Sequence, residues 1–123
     1  MAMFEAIGGE TLQVPETGTA MVRAGGAWRE SGSPGFLVKP FLEDAKAGLR
    51  TWLMKTEPGA TAAMHAHDEI EQVYVLEGSF SDGIADYGPG DFIVRAPGAP
   101  HLTACPDGAL SLVIYASADR GIK

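Results

Sequence analysis

Glycine or proline breaks this chain every few residues, with sixteen glycines and eight prolines among 123 positions. Between the breaks lie short runs rich in Val, Leu, Ile, Phe, Trp and Tyr. Both breakers disfavour helix, glycine through backbone entropy and proline through its missing N–H. No window sustains apolar side chains at i, i+3, i+4 and i+7. The texture predicts an all-β domain of eight or so short strands in a sandwich or barrel. Strands are expected over 19–24, 35–42, 49–56, 62–67, 71–77, 91–95, 101–105 and 110–116. Pro40 confines the end of the second to an edge or bulge, because proline cannot donate to a ladder. A turn is expected at Asp68-Glu69.

Bulk properties narrow the class. A 12.9 kDa chain that is 46% hydrophobic makes one domain, burying about two-thirds of its unfolded surface. No apolar run reaches the ~18 residues of a spanning helix. Residues 1–10 lack the basic start of a signal peptide. The formal charge of −7 repels phosphate backbones, so neither nucleic acid nor an anionic membrane is an expected partner. Cys105 is the one cysteine, which excludes an intramolecular disulfide and makes the cytoplasm the expected compartment.

The chain's three histidines fall into a pattern with a carboxylate: His65, His67, Glu71 and His101. Imidazole and carboxylate are standard ligands of divalent first-row metals. Buried without a metal, such a set would leave several polar groups unpaired, at about 1–3 kcal/mol each. Strand parity places Glu71, Val73 and Val75 on one face, His65 and His67 on another, and His101, Thr103 and Cys105 on a third. The same reading proposes Leu49, Thr51, Leu53, Val73, Val75, Ile93 and Thr103 as pocket lining. Tyr74 should face away from the metal, and Met64 should face away into a core. Trp28 and Trp52 read as packing residues and Cys105 as a small buried hydrophobe. Arg50 and Arg95 are candidates for a substrate carboxylate, with surface or ion-pair roles favoured.

The stretch Gly59-x5-His65-x-His67-x3-Glu71-x6-Gly78 resembles the first cupin motif, and Gly90-x6-Pro97-Gly98-x2-His101 resembles the second. Two positions depart from the pattern. Pro97-Gly98 is contiguous where the family has proline-x-glycine, and Cys105 stands where it has asparagine. Upstream, Trp28, Pro34-Gly35, Lys39-Pro40-Phe41-Leu42, Asp44, Gly48 and Pro58-Gly59 are similar to a narrower subgroup, as is the run from Val75 to Asp82. That subgroup holds the cupin domain of zinc-binding anti-sigma factors and iron-dependent dioxygenases that cleave small diketones. The resemblance covers roughly residues 28–116.

The resemblance implies a double-stranded β-helix (cupin or jelly-roll barrel) over 28–117, with an extension at 1–27 and a tail at 118–123. It implies one divalent metal per chain on His65, His67, Glu71 and His101: iron first, with zinc, manganese or nickel also accommodated. The motif spacing to Gly78 favours Glu71 over Glu69, which sits in the expected turn and should face solvent. Three neutral histidines and one carboxylate leave two positions of a six-coordinate ion open. The leading expectation is an Fe(II)-dependent dioxygenase acting on a small chelating oxygenated substrate, with Glu71 also available as a proton acceptor. The alternatives are a non-catalytic zinc-binding module or sensor, and a metal-dependent isomerase or lyase. A homodimer is expected, with residues before Trp28 crossing to the neighbour.

Overall fold

The computed structural model describes residues 3–6, 11–23 and 27–118, the first four as backbone. Among the described residues all regular structure is β, as the glycine and proline spacing predicts. The strands are β1 (Met3–Ala6), β2 (Thr19–Val22), β3 (Arg29–Glu30), β4 (Phe36–Asp44), β5 (Leu49–Thr56), β6 (Ala60–His65), β7 (Glu69–Gly78), β8 (Phe80–Ser81), β9 (Asp86–Tyr87), β10 (Phe92–Arg95), β11 (His101–Cys105) and β12 (Ala109–Ser117). A six-stranded sheet has the order β10-β7-β12-β5-β4-β3, and a four-stranded sheet has the order β6-β11-β8-β9. β1 and β2 form a parallel pair. The result is a jelly-roll barrel.

The core sits between the two larger sheets. Val73, Val75, Ile93, Val113 and Tyr115 of the six-stranded sheet cluster, and Phe80 and Tyr87 of the other sheet pack against them. Register explains which faces turn inward, because directly opposed residues share a face. Val73 opposes Val113, which opposes Trp52. Met54 and Thr56 follow Trp52 on that face, opposite the buried Val38 and Phe36 of β4. Pro40 sits where the β4–β5 register shifts, the bulge that its missing donor predicts.

Several expectations need correction. β5 turns Arg50, Trp52 and Met54 inward, so Leu49, Thr51 and Leu53 line the opposite face. Both faces of β5 carry apolar residues, and only pairing with β12 sets its phase. β6 spans Ala60–His65, so His67 lies beyond the strand. Glu69 begins β7 instead of occupying a turn. Met64 is 60% exposed: its strand is the edge of the four-stranded sheet, and among the described residues no layer covers its outer side. Tyr74 does face outward. At Leu12 the chain is tied to β4: Leu12 N–H donates to Phe41 O at 2.8 Å and Glu43 N–H to Leu12 O at 2.9 Å. Ala24, the expected end of the first strand, and residues 119–123 of the tail lie outside the described residues.

Candidate metal centre

Two strands and one loop bring the histidines together. His65 ends β6 and His101 begins β11, and the two are direct cross-strand partners. Their ring centroids lie 4.3 Å apart. His67 has no ladder of its own. Its carbonyl accepts the Gly98 N–H at 2.6 Å, which fastens it to the turn that leads into His101. Gly98 has φ +79°, a conformation that glycine adopts without strain. The His67 ring lies 5.0 Å from that of His65 and 5.4 Å from that of His101.

One ligand nitrogen from each ring falls within 4.8 Å of the other two. The opposite nitrogens explain the aim. His65 Nδ1 lies 2.7 Å from Ala63 O, and His101 Nδ1 lies 3.1 Å from Ala99 O. A ring nitrogen facing a carbonyl must carry the proton, which leaves the Nε2 lone pair free for a metal. Burial decreases from His101, only 5% exposed, through His67 to His65 at the rim. Three buried imidazoles were not to be had, because β6 is an edge strand. Burial holds His101 below the ordinary imidazole range, against the pull of the Ala99 carbonyl, and the nearby Arg95 charge adds to the lowering. The lowering favours the neutral ring, the form that ligates a metal.

Glu71 points into the same space. It is buried, with Oε1 3.7 Å from His101 Nε2 and Oε2 3.9 Å from His67 Nε2. Its cross-strand partners are Arg95 on one side and Tyr115 on the other, and Tyr115 in turn opposes Arg50. This row across four strands walls the site. Arg95 Nε donates to Glu71 Oε1 at 3.0 Å. The Tyr115 ring centroid lies 5.4 Å from that of His67. Burial first, and then the Glu71 carboxylate, keep the Tyr115 hydroxyl protonated far above its usual range. Arg50 stacks 3.8 Å from the Tyr115 centroid and grips Glu69 with bonds of 3.0 and 2.7 Å. The ion-pair reading of both arginines therefore holds, and Glu69 faces Arg50 instead of open solvent. The Arg50 hydrogen bonds hold the Glu69 carboxyl below its usual range.

Other site expectations resolve plainly. Val73, Val75 and Ile93 are interior. Thr103 is half-buried, and a register shift separates it from His101. Cys105 is buried, donates its thiol to Ser79 O at 3.1 Å and is pushed up by burial, so it is an inert core residue. Trp52 packs edge-on against Tyr115, and its buried indole Nε1 has no hydrogen-bond partner among the described residues. Trp28 stacks beneath the Lys39 ammonium, 4.8 Å from the ring centroid. A cleft of about 480 Å³ lies against Arg50 and Glu69, but none of the histidines lines it. Asp82 and Tyr115 escaped the sequence reading as site residues, and Arg95 was read only as a candidate for a substrate carboxylate or an ion pair, without its partners Glu71 and Asp82. The signal was parity: Arg95 lies two positions from Ile93, and Tyr115 two from Val113.

Comparisons with known proteins bear on the fold. The ChrR Cupin-like domain family matches residues 18–118. No curated protein matches the chain. Among solved structures, an RmlC-like cupin from Shewanella frigidimarina aligns with TM-score 0.65 at 24% identity, over 76% of this chain and 85% of that one. A chain of the Rhodobacter sphaeroides SigE complex with the anti-sigma ChrR aligns with TM-score 0.64 at 21% identity, over 72% of this chain and 49% of that one. An acetylacetone dioxygenase from Acinetobacter johnsonii aligns with TM-score 0.65 at 12% identity, over 73% of this chain and 66% of its own. At these identities the likeness is one of fold.

Proposed function

The chain belongs to the ChrR cupin-like domain family, and from that premise we propose that it is a small-molecule metalloenzyme, an Fe(II)-dependent dioxygenase of compact, chelating, oxygen-rich substrates. The observation that carries this reading is the convergence of three imidazole nitrogens within 4.8 Å. The donor set fits a divalent metal: two of the three rings have their protonated nitrogen committed to backbone carbonyls. His65, His67, His101 and Glu71 would hold the ion. When bound, the metal supplies Lewis-acid and one-electron chemistry to a chelating substrate.

The protein's own groups do the rest. His101 and Glu71 fix the inner side of the site, and His65 at the rim leaves an approach for ligand. Tyr115, with Val73 and Val113 one row deeper, keeps the floor mostly apolar and limits water. Glu71 is the carboxylate that, among the described residues, is placed to take a proton from the substrate. Turnover lost with metal retained in Glu71→Gln supports that role, and unchanged turnover removes it.

The test is an oxygen electrode with iron-reconstituted protein and a panel of small β-diketones and α-hydroxyketones. Substrate-dependent O₂ uptake, abolished by His101→Ala, is the expected result. Turnover without O₂ would replace the dioxygenase by an isomerase or lyase. Zinc that resists exchange, with no turnover, would favour a binding module. The tight fastening of Glu71 to Arg95 supports that second reading, since a rigid ligand set retains its ion.

A further inference from the structure

Arg95 ends β10, directly opposite Glu71, and its guanidinium bridges two buried carboxylates. Nε donates to Glu71 Oε1 at 3.0 Å, and Nη1 donates to Asp82 Oδ2 at 2.8 Å. Asp82 is 2% exposed and fully engaged. Oδ2 also accepts the Tyr87 hydroxyl at 2.7 Å, and Oδ1 accepts the amides of Ile84 at 2.9 Å and Ala85 at 3.0 Å. The chain Tyr87–Asp82–Arg95–Glu71 thus runs from the β8–β9 turn to the histidines. Each link is short and shielded from water, and the planar fork of arginine fixes direction as well as distance.

We propose that Arg95 is a positioning residue for the metal centre: anchored by Asp82, it holds Glu71 so that the carboxylate faces His67 and His101 in the orientation that ligates the ion. The inference rests on the metal-binding reading above. Both oxygens face the histidines: Oε1, which accepts from Arg95 Nε, lies 3.7 Å from His101 Nε2, and Oε2 lies 3.9 Å from His67 Nε2. The same residue opens the segment that carries Gly98, which holds His67, and His101 itself. One short stretch of chain therefore sets three members of the site.

Charge and geometry make opposite predictions here. By Coulomb's law alone, a cation beside the site repels a metal, so its removal should tighten binding. A positioning role requires that its removal weaken binding.

The experiment measures Co²⁺ affinity by chelator competition, together with the visible d–d spectrum, for wild type, Arg95→Lys, Arg95→Met and Asp82→Asn. Thermal unfolding of each metal-free protein reports folding. The expected result is a roughly 10–100-fold loss of Co²⁺ affinity and an altered spectrum in all three variants, the range for outer-shell partners of metal ligands. Arg95→Lys is included in that loss because one ammonium cannot reproduce the fork. Wild-type affinity and spectrum in Arg95→Lys, or tighter binding in Arg95→Met, would overturn the proposal. If Arg95→Met fails to fold, Arg95→Lys and Asp82→Asn decide the matter. A wild type that takes up no Co²⁺ would refute the metal centre itself, a separate outcome.

Discussion

Asp82 shows what the residue scale adds to the motifs. Burial, the largest single influence, opposes its ionisation, but hydrogen bonds from Arg95, Tyr87, Ala85 and Ile84 outweigh it and hold the carboxyl well below its usual range. A lowered folded pKa contributes stability above the unfolded value of about 3.9, and that stability is lost as pH falls through the folded value. Thermal unfolding between pH 5 and strong acid should therefore show wild type losing stability steeply below about pH 4, and Asp82→Asn losing less. Identical acid slopes would contradict this. Asp82→Ala leaves Arg95 with Glu71 alone and strips the Tyr87 hydroxyl and the Ile84 and Ala85 amides of their acceptor, and should cost at least about 1–3 kcal/mol in urea unfolding. None of this was legible in the chain. The histidines and Glu71 were, because metal ligation demands particular atom types at fixed spacings. An ion pair such as Arg95–Glu71 demands only that two strands meet in register, which no local pattern encodes.

At the scale of elements, long runs were readable and short ones were not. The run from Glu71 to Glu77 alternates cleanly, and β7 contains it. The two-residue strands β3, β8 and β9 are too short to show a period. β5 was found with its true ends but the wrong face, since apolar residues on both sides leave parity undecided. His67 was assigned to a strand although a loop contact with Gly98 holds it. Gly78 marks where β7 closes on β12. Its φ is +74°, and a Cβ there would collide with the Gly108 carbonyl and come within 2.8 Å of Ala109 Cα. Both obstacles are backbone and cannot rotate away. Gly78→Ala should lower stability by at least about 1–3 kcal/mol through backbone strain. An unchanged urea midpoint would contradict the placement.

The whole molecule carries an apolar face that its own sheets do not cover. Tyr74 and Leu76 on β7 lie beside Phe92 and Val94 on the edge strand β10, the last two 55% and 60% exposed. Tyr74 and Phe92 are direct partners, so the patch is continuous. An exposed edge with apolar neighbours is the kind of surface a second copy covers. The expected homodimer should use it. Sedimentation at micromolar concentration should give a dimer, and Val94→Glu should shift it to monomer. A monomeric wild type would refute this assembly. The catalytic proposal does not depend on it, since every candidate ligand comes from one chain.

The central claim is that His65, His67, Glu71 and His101 form a metal centre, and elemental analysis tests it most directly. Protein purified without added metal would be measured by plasma mass spectrometry beside His101→Ala. The account predicts close to one divalent ion per chain in wild type. In His101→Ala it predicts a loss of affinity at least as large as the roughly 10–100-fold typical of outer-shell changes. A wild type that remains metal-free, even after reconstitution with iron, zinc or manganese, would contradict it.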